Sequence, residues 1–195
     1  HPDEAARLRD AASAMHRDLT AELGTDDRPL PVGDAAVTEL PAGDGVASGT
    51  VERSSRFPNA SYFRNWTGTT GAIAWDVEVA RAGEYEATVY YAVPPADVGS
   101  TLELSFRGRS LRARVSRPHD PPLIGAGEDR VPRIESYTKD FAPLALGTLR
   151  LPDDHNRNPA CPTRDDVVLT EDADVLPAAP EDRVQRRARL IVQRG

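Results

Sequence analysis

The spacing of apolar side chains along this chain changes once, from a helical period to an alternating one. Near the start, Leu8, Ala12, Met15, Leu19 and Leu23 recur every three or four residues, which lines one face of a helix. Pro2 stands where a first-turn proline is tolerated, Asp3 and Glu4 complement the positive end of the helix dipole, and Gly24 supplies a stop. A helix from Pro2 to Leu23 is therefore predicted, with its apolar stripe packed against the rest of the protein.

The stretch 25–49 is rich in Asp, Pro and Gly and reads as a linker holding at most a short strand around Ala36 to Leu40. Beyond it the period is two. Ile73, Trp75, Val77 and Val79 alternate with Ala74, Asp76 and Glu78, and after the turn residues 81–84 the pattern resumes in Tyr85, Ala87, Val89 and Tyr91. This predicts a hairpin. A second hairpin is predicted from Leu102, Leu104 and Phe106 through Arg107–Ser110 to Leu111, Ala113 and Val115, with Arg112 and Arg114 facing the other way. Two more strands are expected at Ile134 to Phe141 and at Leu144 to Leu151, separated by Pro143. The last part, 152–195, is dense in Asp, Pro and Arg, and Val167 to Thr170 and Ala188 to Val192 are its candidate closing strands.

Short strands with turn signals between them, and no helical period from Thr50 to Leu151, favour a mostly β fold. The expected architecture is an antiparallel β-sandwich of jelly-roll type preceded by one α-helix; a parallel α/β sheet would need helices between its strands. Composition agrees: among 195 residues there are 17 Pro and 14 Gly, which mark many turns, and 39% hydrophobic residues are enough for a core. The expected organisation is a helix over 1–24, the linker over 25–49, the sandwich core over 50–151 and a divergent tail over 152–195.

A formal charge of -7 argues against nucleic-acid binding through a global basic field. No apolar run is long enough to span a bilayer, and the single cysteine, Cys161, has no internal disulfide partner. The chain opens on His1 in place of Met, so its gene product is expected to begin further upstream.

Several phrases between Ser54 and Leu151 resemble the C-terminal accessory region of bacterial sulfatases, in the group labelled N-acetylgalactosamine-6-sulfatase-like or arylsulfatase A-like. They are the run Phe57 to Thr67, Trp75-Asp76-Val77-Glu78-Val79, Ala82-Gly83-Glu84-Tyr85, Asp97 to Leu104 and His119-Asp120-Pro121-Pro122-Leu123. Residues 2–23 also resemble the helix that ends the catalytic part of those enzymes. The resemblance implies a galactose-binding-like jelly roll and a non-catalytic accessory module. Its partners would be a sulfatase catalytic domain upstream and a polysaccharide, with sulfation as the family's theme. It implies no cofactor for this module, places any calcium in the upstream domain, and makes the parent protein an exported one. After Leu151 the chain departs from the family pattern.

Within that tail, Cys161-Pro162-Thr163-Arg164 is close to the sulfatase nucleophile motif but lacks the spacer between cysteine and proline. A sulfatase centre also needs a divalent ion held by carboxylates on a parallel scaffold. The alternative of a free-standing sulfuric-ester hydrolase would rest on Cys161, with His155 as its sequence neighbour; a further alternative is a structural docking module whose Leu8, Met15 and Leu19 stripe meets a partner domain. No histidine pair has metal-ligand spacing, so neither catalytic nor metal residues are assigned. His119 and Asp120, ahead of two prolines, read as a loop anchored by side-chain hydrogen bonds.

A saccharide presents aliphatic patches and hydroxyls, so its site should pair an aromatic ring with carboxylate or guanidinium groups. The candidate ligand-binding residues are Tyr62, Trp66, Tyr90, Asp97, Arg112, Arg114, Arg130 and Tyr137. Tyr90 falls out of phase with Val89 and Tyr91 and should face away from the core, where Trp75 and Tyr85 are assigned. Arg107, Arg109, Arg112, Arg114 and Arg117 form a stretch free of acidic residues, suited either to sulfate oxygens or to a solvated edge strand.

Overall fold

A computed structural model describes residues 1–23, 28–57, 59–68, 70–131, 133–152, 165–171 and 187–194. Helix α1 covers Pro2–Leu23, as the spacing predicts. Twelve strands follow among the described residues: β1 (Leu30–Val32), β2 (Val37–Leu40), β3 (Val46–Ser48), β4 (Glu52–Arg53), β5 (Phe63–Arg64), β6 (Ala72–Val79), β7 (Gly83–Ala92), β8 (Thr101–Phe106), β9 (Arg109–Arg114), β10 (Ala142–Leu151), β11 (Asp165–Glu171) and β12 (Arg187–Arg194). They form two sheets. One runs β1-β6-β11-β8-β9, with β3 also on β6; the other runs β10-β7-β12-β5-β4, with β2 also on β12. Pairing is antiparallel except between β1 and β6. The protein is thus a mostly β, jelly-roll-like sandwich preceded by one helix.

The two inner faces meet on the side chains that alternation assigns inward. Ile73, Trp75, Val77 and Val79 of β6 and Tyr85, Ala87, Val89 and Tyr91 of β7 are all buried, with Leu104, Phe106 and Leu169 among them. Between the sheets a gap of ≈ 20 Å³ is lined by apolar side chains that include Val77, Tyr85, Phe106 and Leu149. It has room for little more than one water-sized molecule.

The β8–β9 hairpin forms in the expected register, with Leu104 opposite Leu111. Its connection is a two-residue turn in which Arg107 (φ 49°) and Gly108 (φ 74°) are both left-handed, the form that matches strand twist. Pro143 is accommodated because β10 is an edge strand, whose outer N–H groups have no ladder to join.

Four expectations are corrected. Strands β6 and β7 are not a hairpin, because each belongs to a different sheet. Their connection bonds elsewhere: the Ala80 N–H donates to the Val32 carbonyl at 2.9 Å, and the Tyr85 hydroxyl to the Arg81 carbonyl at 2.6 Å. Inward alternation is the same for a hairpin and for an arch that crosses between sheets, so the pattern alone did not separate them. Residues 134–141 are a loop and not a strand, held by side-chain bonds in place of a ladder. The stretch 25–49 contributes β1, β2 and β3 to the two sheets, so it carries more structure than one short strand. Finally, the stripe on α1 is not packed: none of its residues is buried.

The tail is part of both sheets. Strand β11 lies between β6 and β8, and β12 between β7 and the pair β2 and β5. Residues 153–164, with His155 and Cys161, fall outside the described residues, as do Gly24 and 172–186.

Candidate functional site

Between β9 and β10 the chain makes a long excursion, and it is tied to the sandwich at several points. Val93 and His119 exchange backbone hydrogen bonds, both 2.8 Å. The His119 ring nitrogen Nε2 lies 2.5 Å from the Asp140 carbonyl, an acceptor that requires the proton on Nε2. Asp120 pairs with Lys139 on the returning limb of the loop. These contacts are the anchored loop that the prolines predicted at His119-Asp120.

Further out, the Ile124 N–H donates to the Thr138 carbonyl at 2.9 Å and closes a compact Ω-shaped loop over 124–138. Its floor is the segment after β4. Ser136 donates to the Ser54 hydroxyl at 2.6 Å, Ser55 to the Ile134 carbonyl at 3.4 Å, and the rings of Tyr62 and Phe141 pack 5.7 Å apart. That floor is itself fixed by Arg53, whose guanidinium donates to the carbonyls of Ser55, Gly43 and Arg56 at 2.8, 2.7 and 3.0 Å.

The loop has its own internal clip. Asp129 accepts from Arg133 Nε and from the Tyr137 hydroxyl, each at 2.7 Å, while the Arg133 guanidinium lies 4.4 Å from the Tyr137 ring centroid. Two donors on one carboxylate favour its charged form, so the hydrogen bonds from Arg133 and then Tyr137 hold Asp129 below the usual carboxylate range. Asp129 in turn raises Arg133. Around this clip Val131, Ile134 and Ile124 stand 74%, 71% and 55% exposed, and Arg130 is exposed beside them. The clip brings an aromatic ring, a carboxylate and a guanidinium together, with exposed aliphatic side chains on the same loop.

The remaining candidates are distributed elsewhere. Tyr62 and Trp66 are 5% and 3% exposed, and neither ring offers a stacking face to solvent in this conformation. Tyr90 does face away from the core, half-buried and in register with Pro143 of β10 and Arg189 of β12. Asp97 and Arg114 share a corner: Arg114 Nε donates to the Gly99 carbonyl at 3.1 Å, and Asp97 Oδ2 is buried with no hydrogen-bond partner among the described residues. Arg112 is paired with Glu103 at 2.8 Å on the neighbouring strand. The eight candidates therefore do not form one site; only Arg130 and Tyr137 come together on the Ω-shaped loop. Asp129 and Arg133 were missed, although their i, i+4, i+8 spacing with Tyr137 was visible in the sequence.

Among the described residues no three His, Cys, Asp or Glu side chains gather as a metal-holding group, and no described helix is long and apolar enough to cross a membrane.

Neither a protein-family model nor a curated protein matches the chain. Solved structures similar to it include a Podospora anserina GH26-CBM35 β-(1,4)-mannanase, at 11% identity and TM-score 0.48 over 82% of this chain and 28% of that one. An exo-β-1,3-galactanase from Phanerochaete chrysosporium, with galactose, matches at 16% identity and TM-score 0.44 over 81% and 29%. The catalytic unit of a GH87 α-1,3-glucanase from Streptomyces thermodiastaticus matches at 18% identity and TM-score 0.40 over 83% and 26%. The chain spans under a third of the length of each.

Proposed function

We propose that this chain is a non-catalytic accessory module that binds polysaccharide through the Ω-shaped loop 124–138. The observation that carries the reading is the Asp129–Arg133–Tyr137 clip. It holds a ring, a carboxylate and a guanidinium in place before any ligand arrives, which lowers the ordering cost of binding. Sugar hydroxyls find acceptors and donors in Asp129, Arg130 and Arg133, and the aliphatic faces of a pyranose find Tyr137, Val131 and Ile134.

The finer reading is that the parent protein is a sulfatase acting on sulfated glycans, with its catalytic domain upstream. The support is the resemblance across 54–151. Arg112 and Arg114, on one face of the edge strand β9, would meet sulfate oxygens there, the exposed Arg112 exchanging its half-buried partner Glu103 for the ligand.

Affinity electrophoresis of the whole chain through gels cast with neutral and with sulfated polysaccharides tests both levels. Retardation lost in Tyr137→Ala supports the loop, and retardation confined to sulfated gels and lost in Arg112→Ala with Arg114→Ala supports the finer reading. Free migration through every gel would end the proposal.

A further inference from the structure

Helix α1 poses a separate question, because a helix in a protein draws most of its stability from packing an apolar face. Leu8, Met15 and Leu19 are nevertheless 56%, 65% and 46% exposed, and no residue of the helix is buried. Together with Ala5 and Ala12 they are spaced three, four, three and four residues apart. That is the spacing of a coiled-coil seam, with Leu23, 78% exposed, flanking its last turn.

The charges flanking the seam choose the occupant and its direction. In a parallel, in-register pair Glu4 of one helix faces Arg9 of the other, an attractive flanking contact; in the antiparallel pair that sets Leu8 against Leu19, no flanking position brings opposite charges together. Within one chain Glu4 already bonds Arg7, 2.6 Å away, but that pair is exposed and a second copy's Arg9 can join it. Small alanines at Ala5 and Ala12 let the backbones approach, and Glu22 at the next seam position ends the contact.

We infer that α1 pairs two copies of this chain as a short parallel coiled coil. The pairing sets two saccharide-binding modules on one stalk, and a ligand with repeating units would then bind by avidity, with the second contact made at high effective concentration. The coiled coil itself does not depend on the ligand reading: a dimer that fails to bind polysaccharide leaves the helix inference standing, and a monomer that binds it leaves the function standing.

Sedimentation equilibrium of the whole chain across the micromolar range should show a monomer–dimer equilibrium, and Leu8→Glu with Leu19→Glu should return it to monomer. Near-UV circular dichroism from the buried Trp75 should be unchanged in that variant, which separates lost pairing from lost folding. In a Cys161→Ser background, Ala5→Cys should form an interchain disulfide much faster than the outward-facing Asp10→Cys. A chain that stays monomeric throughout, or an Ala5→Cys that links no faster than Asp10→Cys, would overturn the inference.

Discussion

Trp75 of β6 and Phe63 of β5 meet edge to face across the sandwich, with ring centroids 5.7 Å apart and planes at 83°. The two strands belong to opposite sheets, so this pair is a direct aromatic joint between layers. The Trp75 indole N–H also donates to the Pro41 carbonyl at 2.9 Å, which draws the loop after β2 onto the joint. Gly45 packs against both rings: a Cβ there would lie 2.7 Å from Phe63 Cζ and 2.8 Å from Trp75 Nε1.

Loss of the joint is expected to be costly. Phe63→Ala should destabilise the protein by about 3–5 kcal/mol, the range for removing a buried aromatic side chain. Gly45→Ala should also lower stability, because two packed rings must shift to admit one methyl group. Urea unfolding followed by tryptophan fluorescence measures both.

The two C-terminal strands should be indispensable. A chain shortened to end at Leu151 leaves β6 and β8 without the strand between them, and β7 without β12. It also removes Leu169, which is fully buried. We expect such a chain to lack cooperative thermal unfolding and a dispersed amide spectrum, while one ending shortly after Arg194 should retain both.

The clip on the Ω-shaped loop should respond to acid. Because Arg133 and Tyr137 hold the Asp129 carboxyl below its ordinary 3.8, its contribution is fully present above that value and is lost as pH falls through the depressed one. The Tyr137 hydroxyl then loses its charged acceptor. Carboxyl carbon shifts of Asp129 followed by NMR should titrate below the normal aspartate range, and Arg133→Gln should move the midpoint upward.

Much of this fold was legible because strict alternation reports which side chains face a core. Trp75, Tyr85, Val89, Leu104 and Phe106 were placed inward from period alone, and all are buried. What alternation does not carry is partnership. It gave β6 and β7 correct faces but the wrong neighbours, since the choice between hairpin and arch is made by bonds from Ala80 and Tyr85 to residues outside the turn. Residues 134–141 were expected as a strand, yet Ser136 and Ile134 bond to Ser54 and Ser55 in the β4–β5 segment. The helix was legible in full, but its stripe could not say whether the surface it meets lies in the same chain.

The site was harder to read for the same reason. Tyr137 and Arg130 were named for their chemistry, whereas Asp129 and Arg133 meet Tyr137 because a loop with no regular structure folds back on itself. Trp66 and Tyr62 carry the right chemistry in buried positions.

The most direct test follows backbone amide shifts of the whole chain while a soluble oligosaccharide from a retained polysaccharide is titrated in. The account predicts that the largest changes fall on 124–138 and on the supporting residues 53–57, and that Tyr137→Ala abolishes them. Changes centred instead on the Tyr90 face or the Asp97–Arg114 corner, with 124–138 undisturbed, would contradict it.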